Sequence, residues 1–113
     1  MRRESFQDYD AIIFVIDSAD TESFYEARQE LWKVLSFAPD AILLILANKQ
    51  DLKGAANIKE LHKIFDLEKL PKTTQFLMQE TCGLNGNGLE SALSWLSKTI
   101  KEKRRKTVTA TYL

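Results

Sequence analysis

Two short, unbroken apolar runs, Ala11-Ile12-Ile13-Phe14-Val15-Ile16 and Ala41-Ile42-Leu43-Leu44-Ile45-Leu46-Ala47, constrain the fold of this chain more than any other feature. Each falls well below the ~18 apolar residues that a membrane-spanning helix needs. Neither alternates apolar with polar as a strand wetted on one face would. A strand that is apolar on both faces must be covered on both, which is the situation in a parallel sheet layered between helices. Thr74-Gln75-Phe76-Leu77-Met78-Gln79 reads as a third strand.

The covering helices are legible between the runs. Asp20 is a good N-cap, Glu22 suits a first turn, and Phe24, Ala27, Leu31, Val34 and Leu35 share one face of the helix that follows. Pro39 closes that segment. A second helix opens with Asn57 and Glu60 in the spacing of a capping box and turns Ile58, Leu61, Ile64 and Phe65 inward. The third repeats the device with Asn87 and Glu90, and aligns Leu89, Leu93, Leu96 and Ile100. Strand, helix, strand, helix, strand, helix predicts an α/β fold of three parallel strands alternating with three helices and right-handed crossovers. Trp32 and Trp95 fall within these helical patterns and read as packing residues.

Directly after the second apolar run stands Asn48-Lys49-Gln50-Asp51, at the carboxyl end of a buried strand, where open α/β sheets bind ligands. As a string of loop residues it is unremarkable, and only its position gives it meaning. Guanine presents two donors, N1–H and the N2 amine, on one edge. An ionised Asp51 is acceptor-only and matches both, whereas adenine would leave the carboxylate desolvated and unpaired. Lys49 can lay its aliphatic stem along the base. Asn48, donor and acceptor at once, can tie its loop to a neighbour and touch the base.

A second polar loop, Glu80-Thr81-Cys82-Gly83-Leu84-Asn85-Gly86-Asn87-Gly88, follows the third strand. With it, the chain resembles the ADP-ribosylation factor and factor-like branch of the small GTPases. The resemblance is carried by Ile12-Ile13-Phe14-Val15-Ile16-Asp17-Ser18-Ala19-Asp20, Glu26-Ala27-Arg28-Gln29-Glu30-Leu31, Ala47-Asn48-Lys49-Gln50-Asp51-Leu52, Thr81-Cys82-Gly83, Asn85-Gly86-Asn87-Gly88-Leu89 and Trp95-Leu96. It implies the carboxyl-terminal part of a P-loop NTPase G domain over residues 1–100; residues 101–113 depart from anything it covers and read as a basic, flexible tail. It also implies a guanine site made of Asn48, Lys49, Asp51, Cys82 and Gly83, in which the backbone N–H of the second loop holds the guanine O6. Gly83 stands where the family has Ala, which keeps the N–H and frees the backbone.

The resemblance further implies groups that these residues do not supply. A phosphate-binding loop, Gly-x-x-x-x-Gly-Lys-Ser/Thr, belongs far ahead of the base motif, yet all 4 glycines, Gly54, Gly83, Gly86 and Gly88, follow it. Nor does the chain contain the Mg²⁺-binding Ser/Thr, the first switch Thr or the Asp-x-x-Gly-Gln segment that positions the attacking water. Phosphoryl transfer depends on positioning and charge around phosphates and metal. The expectation is weak GTP/GDP binding at most and no hydrolysis by these residues alone.

Lys plus Arg and Asp plus Glu each total 16, so no global field draws the chain to nucleic acid. The 1 cysteine, Cys82, precludes an internal disulfide and fits a reducing cytoplasm. It reads as a small buried hydrophobe rather than a nucleophile, since the 1 histidine, His62, lies on a helix, and the pair makes no metal cluster. Asp17, Ser18 and Asp20 read as turn residues that satisfy free N–H groups, rather than as a metal or acid–base pair.

A myristoyl signal is lacking after Met1. The tail segment Lys101-Glu102-Lys103-Arg104-Arg105-Lys106 reads as a solvated helix end, with a weak anionic-lipid or nuclear-transport contact as its functional alternative. The ending Thr111-Tyr112-Leu113 suits addition to a PDZ-type sheet edge. The reading reached is a guanine-nucleotide-binding Arf-like chain, cytoplasmic or peripheral on intracellular membranes, with family effectors and regulators as partners. Its competitor is a nucleotide-free interaction module or truncated isoform acting through helices or tail, and a third reading is an incomplete gene model with no independent role. With only three strands, Ala11–Ile16 would form an exposed edge prone to self-association.

Overall fold

The structure, a computed structural model, describes residues 11–48, 54–81, 88–103 and 108–112. The expected alternation is present: β1 (Ala11–Asp17), α1 (Phe24–Phe37), β2 (Ile42–Asn48), α2 (Ile58–Ile64), β3 (Phe76–Glu80) and α3 (Leu89–Lys103). A further strand, β4 (Val108–Tyr112), follows α3. All strands are parallel, in the order β3-β2-β1-β4.

The unbroken apolar runs act as two-sided strands. Along β1 and β2 successive side chains enter opposite cores, as the pleat dictates. Ile12, Phe14, Ile16, Leu43, Ile45 and Ala47 face α1 and α2, while Ala11, Ile42, Leu44 and Leu46 face α3. The larger core gathers on Phe65, whose ring meets Phe14 edge-on at 6.4 Å and Phe24 at 5.9 Å. Trp32 packs on the same cluster and donates its ring N–H to the Phe65 carbonyl at 2.9 Å, so it is a packing residue whose polar atom is satisfied.

The helix starts follow their sequence signals in part. Asn57 and Glu60 form the reciprocal capping box of α2. On α1 all five residues expected to face inward are buried. Its start differs from expectation: a 3-10 turn, Thr21–Ser23, intervenes after Asp20, and the Asp20 carboxylate accepts from the Ser23 hydroxyl at 2.7 Å instead of from a backbone N–H.

Helix α3 keeps part of its predicted face, with Leu96 buried and Ile100 packed on the same cluster. Leu89 and Leu93 are exposed, and the buried stripe is Ala92, Leu96 and Thr99. The helix lies across β2 and β3, and the small Ala92 at the contact lets it approach the sheet closely, which rotates the leucine row toward the flank. The N-cap proposed at Asn87 lies outside the described residues.

The largest correction concerns the tail. Residues 101–103 continue α3, and Val108–Tyr112 pair with Ala11–Val15 in parallel register. The edge of β1 expected to be bare is therefore occupied by the chain's own terminal segment, and Thr111 and Tyr112 are strand residues here. Lys103 is also engaged, its ammonium donating to the Asp40 carbonyl at 2.8 Å. No helix among the described residues is long and apolar enough to cross a membrane.

Candidate functional site

The carboxyl ends of β1, β2 and β3 are level, because the ladder pairs Asp17 with Asn48 and Ala47 with Glu80. Three connections therefore leave the sheet side by side, and Asn48 is the last residue of the middle strand. It is held from both flanks. On one side the Ser18 N–H donates to the Asn48 carbonyl at 3.1 Å; on the other the Thr81 N–H donates to the Ala47 carbonyl at 3.0 Å.

The side chain of Asn48 is fixed as well. The Thr81 hydroxyl donates to Asn48 Oδ1 at 3.0 Å, in a partly buried setting. This bond joins the first residue after β3 to the last residue of β2, so the two polar loops are tied at their roots. It uses the acceptor end of the amide, and the end left for a ligand or loop is the Nδ2 donor.

Beside them, Asp17 and Asp20 are consumed by the turn after β1. Asp17 Oδ1 accepts from the Ala19 N–H at 3.1 Å, and the Asp17 carbonyl accepts from the Asp20 N–H at 3.1 Å. The first is the bond expected of a short polar side chain at a strand-to-helix turn, and the second closes the same turn through the backbone. Among the described residues no group of three or more His, Cys, Asp or Glu side chains is placed to hold a metal ion.

Of the candidate guanine-site residues, Asn48 lies within this cluster, and Lys49, Asp51, Cys82 and Gly83 lie outside the described residues. Thr81 was not singled out by sequence reasoning, since its role depends on the β2–β3 register rather than on any local pattern. Gly88 was missed too. Its φ is +86°, and a Cβ there would overlap the Glu80 carbonyl oxygen, so only glycine lets α3 start against the end of β3. A glycine directly ahead of an apolar helical row was the available signal.

The profile of the ADP-ribosylation factor family matches residues 1–100. Among solved structures, the chain is similar to the Arl6 BBS3 small GTPase from Trypanosoma brucei with a bound nucleotide analogue, GppNp. Sequence identity is 30%, the TM-score is 0.78, and the match covers 89% of this chain. It covers 63% of that chain, so the present residues span less than two thirds of the length of the matched structure. The parallel sheet with alternating helices is that of part of a small GTPase G domain.

Proposed function

The chain belongs to the ADP-ribosylation factor family of small GTPases, and from that premise we propose that it binds guanine nucleotide through the base. Asn48, Lys49, Asp51 and the Gly83 N–H would contact guanine, with Cys82 beside them in the second loop. The observation that carries this reading is the Thr81–Asn48 hydrogen bond, which ties the two loops at the carboxyl end of the sheet. A carboxylate at Asp51 selects guanine by accepting from N1–H and N2–H₂.

These 113 residues carry no phosphate-binding loop. Affinity from the base alone is therefore set near the millimolar level, about −4 kcal/mol, and alike for GDP and GTP. Asp51→Asn exchanges an acceptor for a donor and complements xanthine, which bears a carbonyl where guanine has its amine. NMR titration should show guanine preference in the wild type and xanthine preference in the variant. Equal shifts with adenine, guanine and xanthine nucleotides in both proteins would reduce Asn48–Asp51 to an ordinary loop.

A second reading, an interaction module, draws on a specific surface of α1. An apolar depression of about 170 Å³ is lined by Trp32, Leu35, Pro39, Leu70 and Pro71. Elsewhere on α1, Tyr25, 62% exposed, is held by the Arg28 guanidinium over its ring and by Gln29, which donates to its hydroxyl. Tyr, Trp and Arg are the residues that most often anchor protein partners. Partner capture that is lost with Tyr25→Ala and unaffected by Asp51→Asn would favour this reading.

A further inference from the structure

We infer that Ser18 is the positioning residue of the base-reading loop, an assignment that rests on the guanine reading above. Ser18 is the first residue after β1, and both groups of its backbone are used. Its N–H donates to the Asn48 carbonyl at 3.1 Å, and its carbonyl accepts from the Ala56 N–H at 2.9 Å. Between Asn48 and Ala56 runs the segment that carries Lys49 and Asp51. Ser18 is thus bonded both to the point where that segment leaves the sheet, which Thr81 holds from the other flank, and to the point where it returns.

The surroundings make these two bonds firm. Ser18 is 0% exposed and Ala56 6% exposed, so neither bond is exchanged freely for water, and an unmade partner would stay unsatisfied. On the departing side, Asp17 is in register with Asn48, which fixes the height of Ser18. On the returning side, Ala56 precedes Asn57, the capped start of α2, so the return point is anchored to a helix. Holding the two ends together removes loop-closure entropy before any ligand arrives, and pre-ordering of this kind strengthens binding by lowering its entropic cost. Asp51 must meet two donors on one base edge at once, so its aim is sensitive to where the segment begins and ends.

Ala56→Pro deletes the donor to Ser18 and leaves Asn48, Lys49 and Asp51 in place, while Ala56→Ser keeps the N–H as the conservative control. The full chain is studied by amide hydrogen exchange and by NMR titration with GDP and with ADP. The expected result is slow exchange at the Ser18 and Ala56 amides of the wild type. In Ala56→Pro, protection of residues 12–16 should persist while the preference for GDP over ADP falls roughly tenfold, and Ala56→Ser should retain both. Fast exchange at Ser18 and Ala56 in the wild type, or full GDP preference in Ala56→Pro, would overturn the positioning role. A wild type with slow exchange at both amides but no preference for GDP would instead overturn the guanine reading, and the role falls with it.

Discussion

Thr81 and Asn48 are 33 residues apart in the chain, yet the hydroxyl of one donates to the side-chain oxygen of the other at 3.0 Å. Thr81→Val keeps the shape and removes the donor. The expected loss is about 1 kcal/mol of folding stability, the usual net worth of such a bond. Combined with Asn48→Ala, the loss measured by chemical denaturation should be smaller than the sum of the two single losses. Strict additivity would mean that the bond holds nothing in place.

Gly88 and Gly54 separate two effects of adding a Cβ. Both have positive φ, but a Cβ at Gly54 meets nothing within 4 Å, whereas at Gly88 it overlaps the Glu80 carbonyl. Gly54→Ala should cost about 1 kcal/mol, the conformational penalty alone. Gly88→Ala should cost at least about 2 kcal/mol, because strand end and helix start must also move apart. Equal melting temperatures for the two variants would contradict the close approach of α3 to β3.

The capping box of α2 gives a third test. Asn57→Ala removes the acceptor for the Glu60 N–H and should cost about 1 kcal/mol. For a domain of this size that is a fall of roughly 4–8 °C in Tm. Glu60→Gln keeps a side-chain oxygen for the Asn57 N–H and should shift Tm much less.

Removing residues 104–113 takes away β4 and bares the edge of β1. An unpaired apolar edge recruits strands from other molecules, so sedimentation should show concentration-dependent association of the truncated protein and a smaller sedimenting species for the intact one. Amide exchange in β1 should accelerate as well. A truncated chain that sediments like the intact one, with β1 equally protected, would show that β4 contributes no net stability.

Phosphate release from Mg²⁺-GTP by these 113 residues should equal the buffer rate, since the phosphate ligands and the water-positioning Gln are not among them. Turnover that persists through purification and vanishes in Asp51→Ala would relocate the catalytic groups.

How much of this was legible in the sequence follows from the range of the interactions involved. The buried face of α1, the capping box at Asn57 and Glu60, and the two-sided strands depend on spacing within a few residues, and spacing is what a sequence displays. The stripe of α3 was misjudged because Leu89 and Leu93 outweigh Ala92 in hydrophobicity, while close approach to the sheet favours the smaller residue. The strand at Val108–Tyr112 was hidden for another reason. Its β-branched residues follow a basic cluster, and only the edge of β1, almost the whole chain away, gives them a partner. Asn48 is legible as a loop tie by its chemistry alone, but Thr81 as its partner requires the strand register.

Strand β2 belongs to both cores at once, with Leu43, Ile45 and Ala47 on one side and Ile42, Leu44 and Leu46 on the other. Melting either helical layer would therefore wet half of the strand that supports the opposite layer. The two layers should lose their structure in a single transition, with calorimetric and van't Hoff enthalpies that agree. The folding nucleus would then be sought at β2 and its neighbour β1, the strands that contribute side chains to both layers.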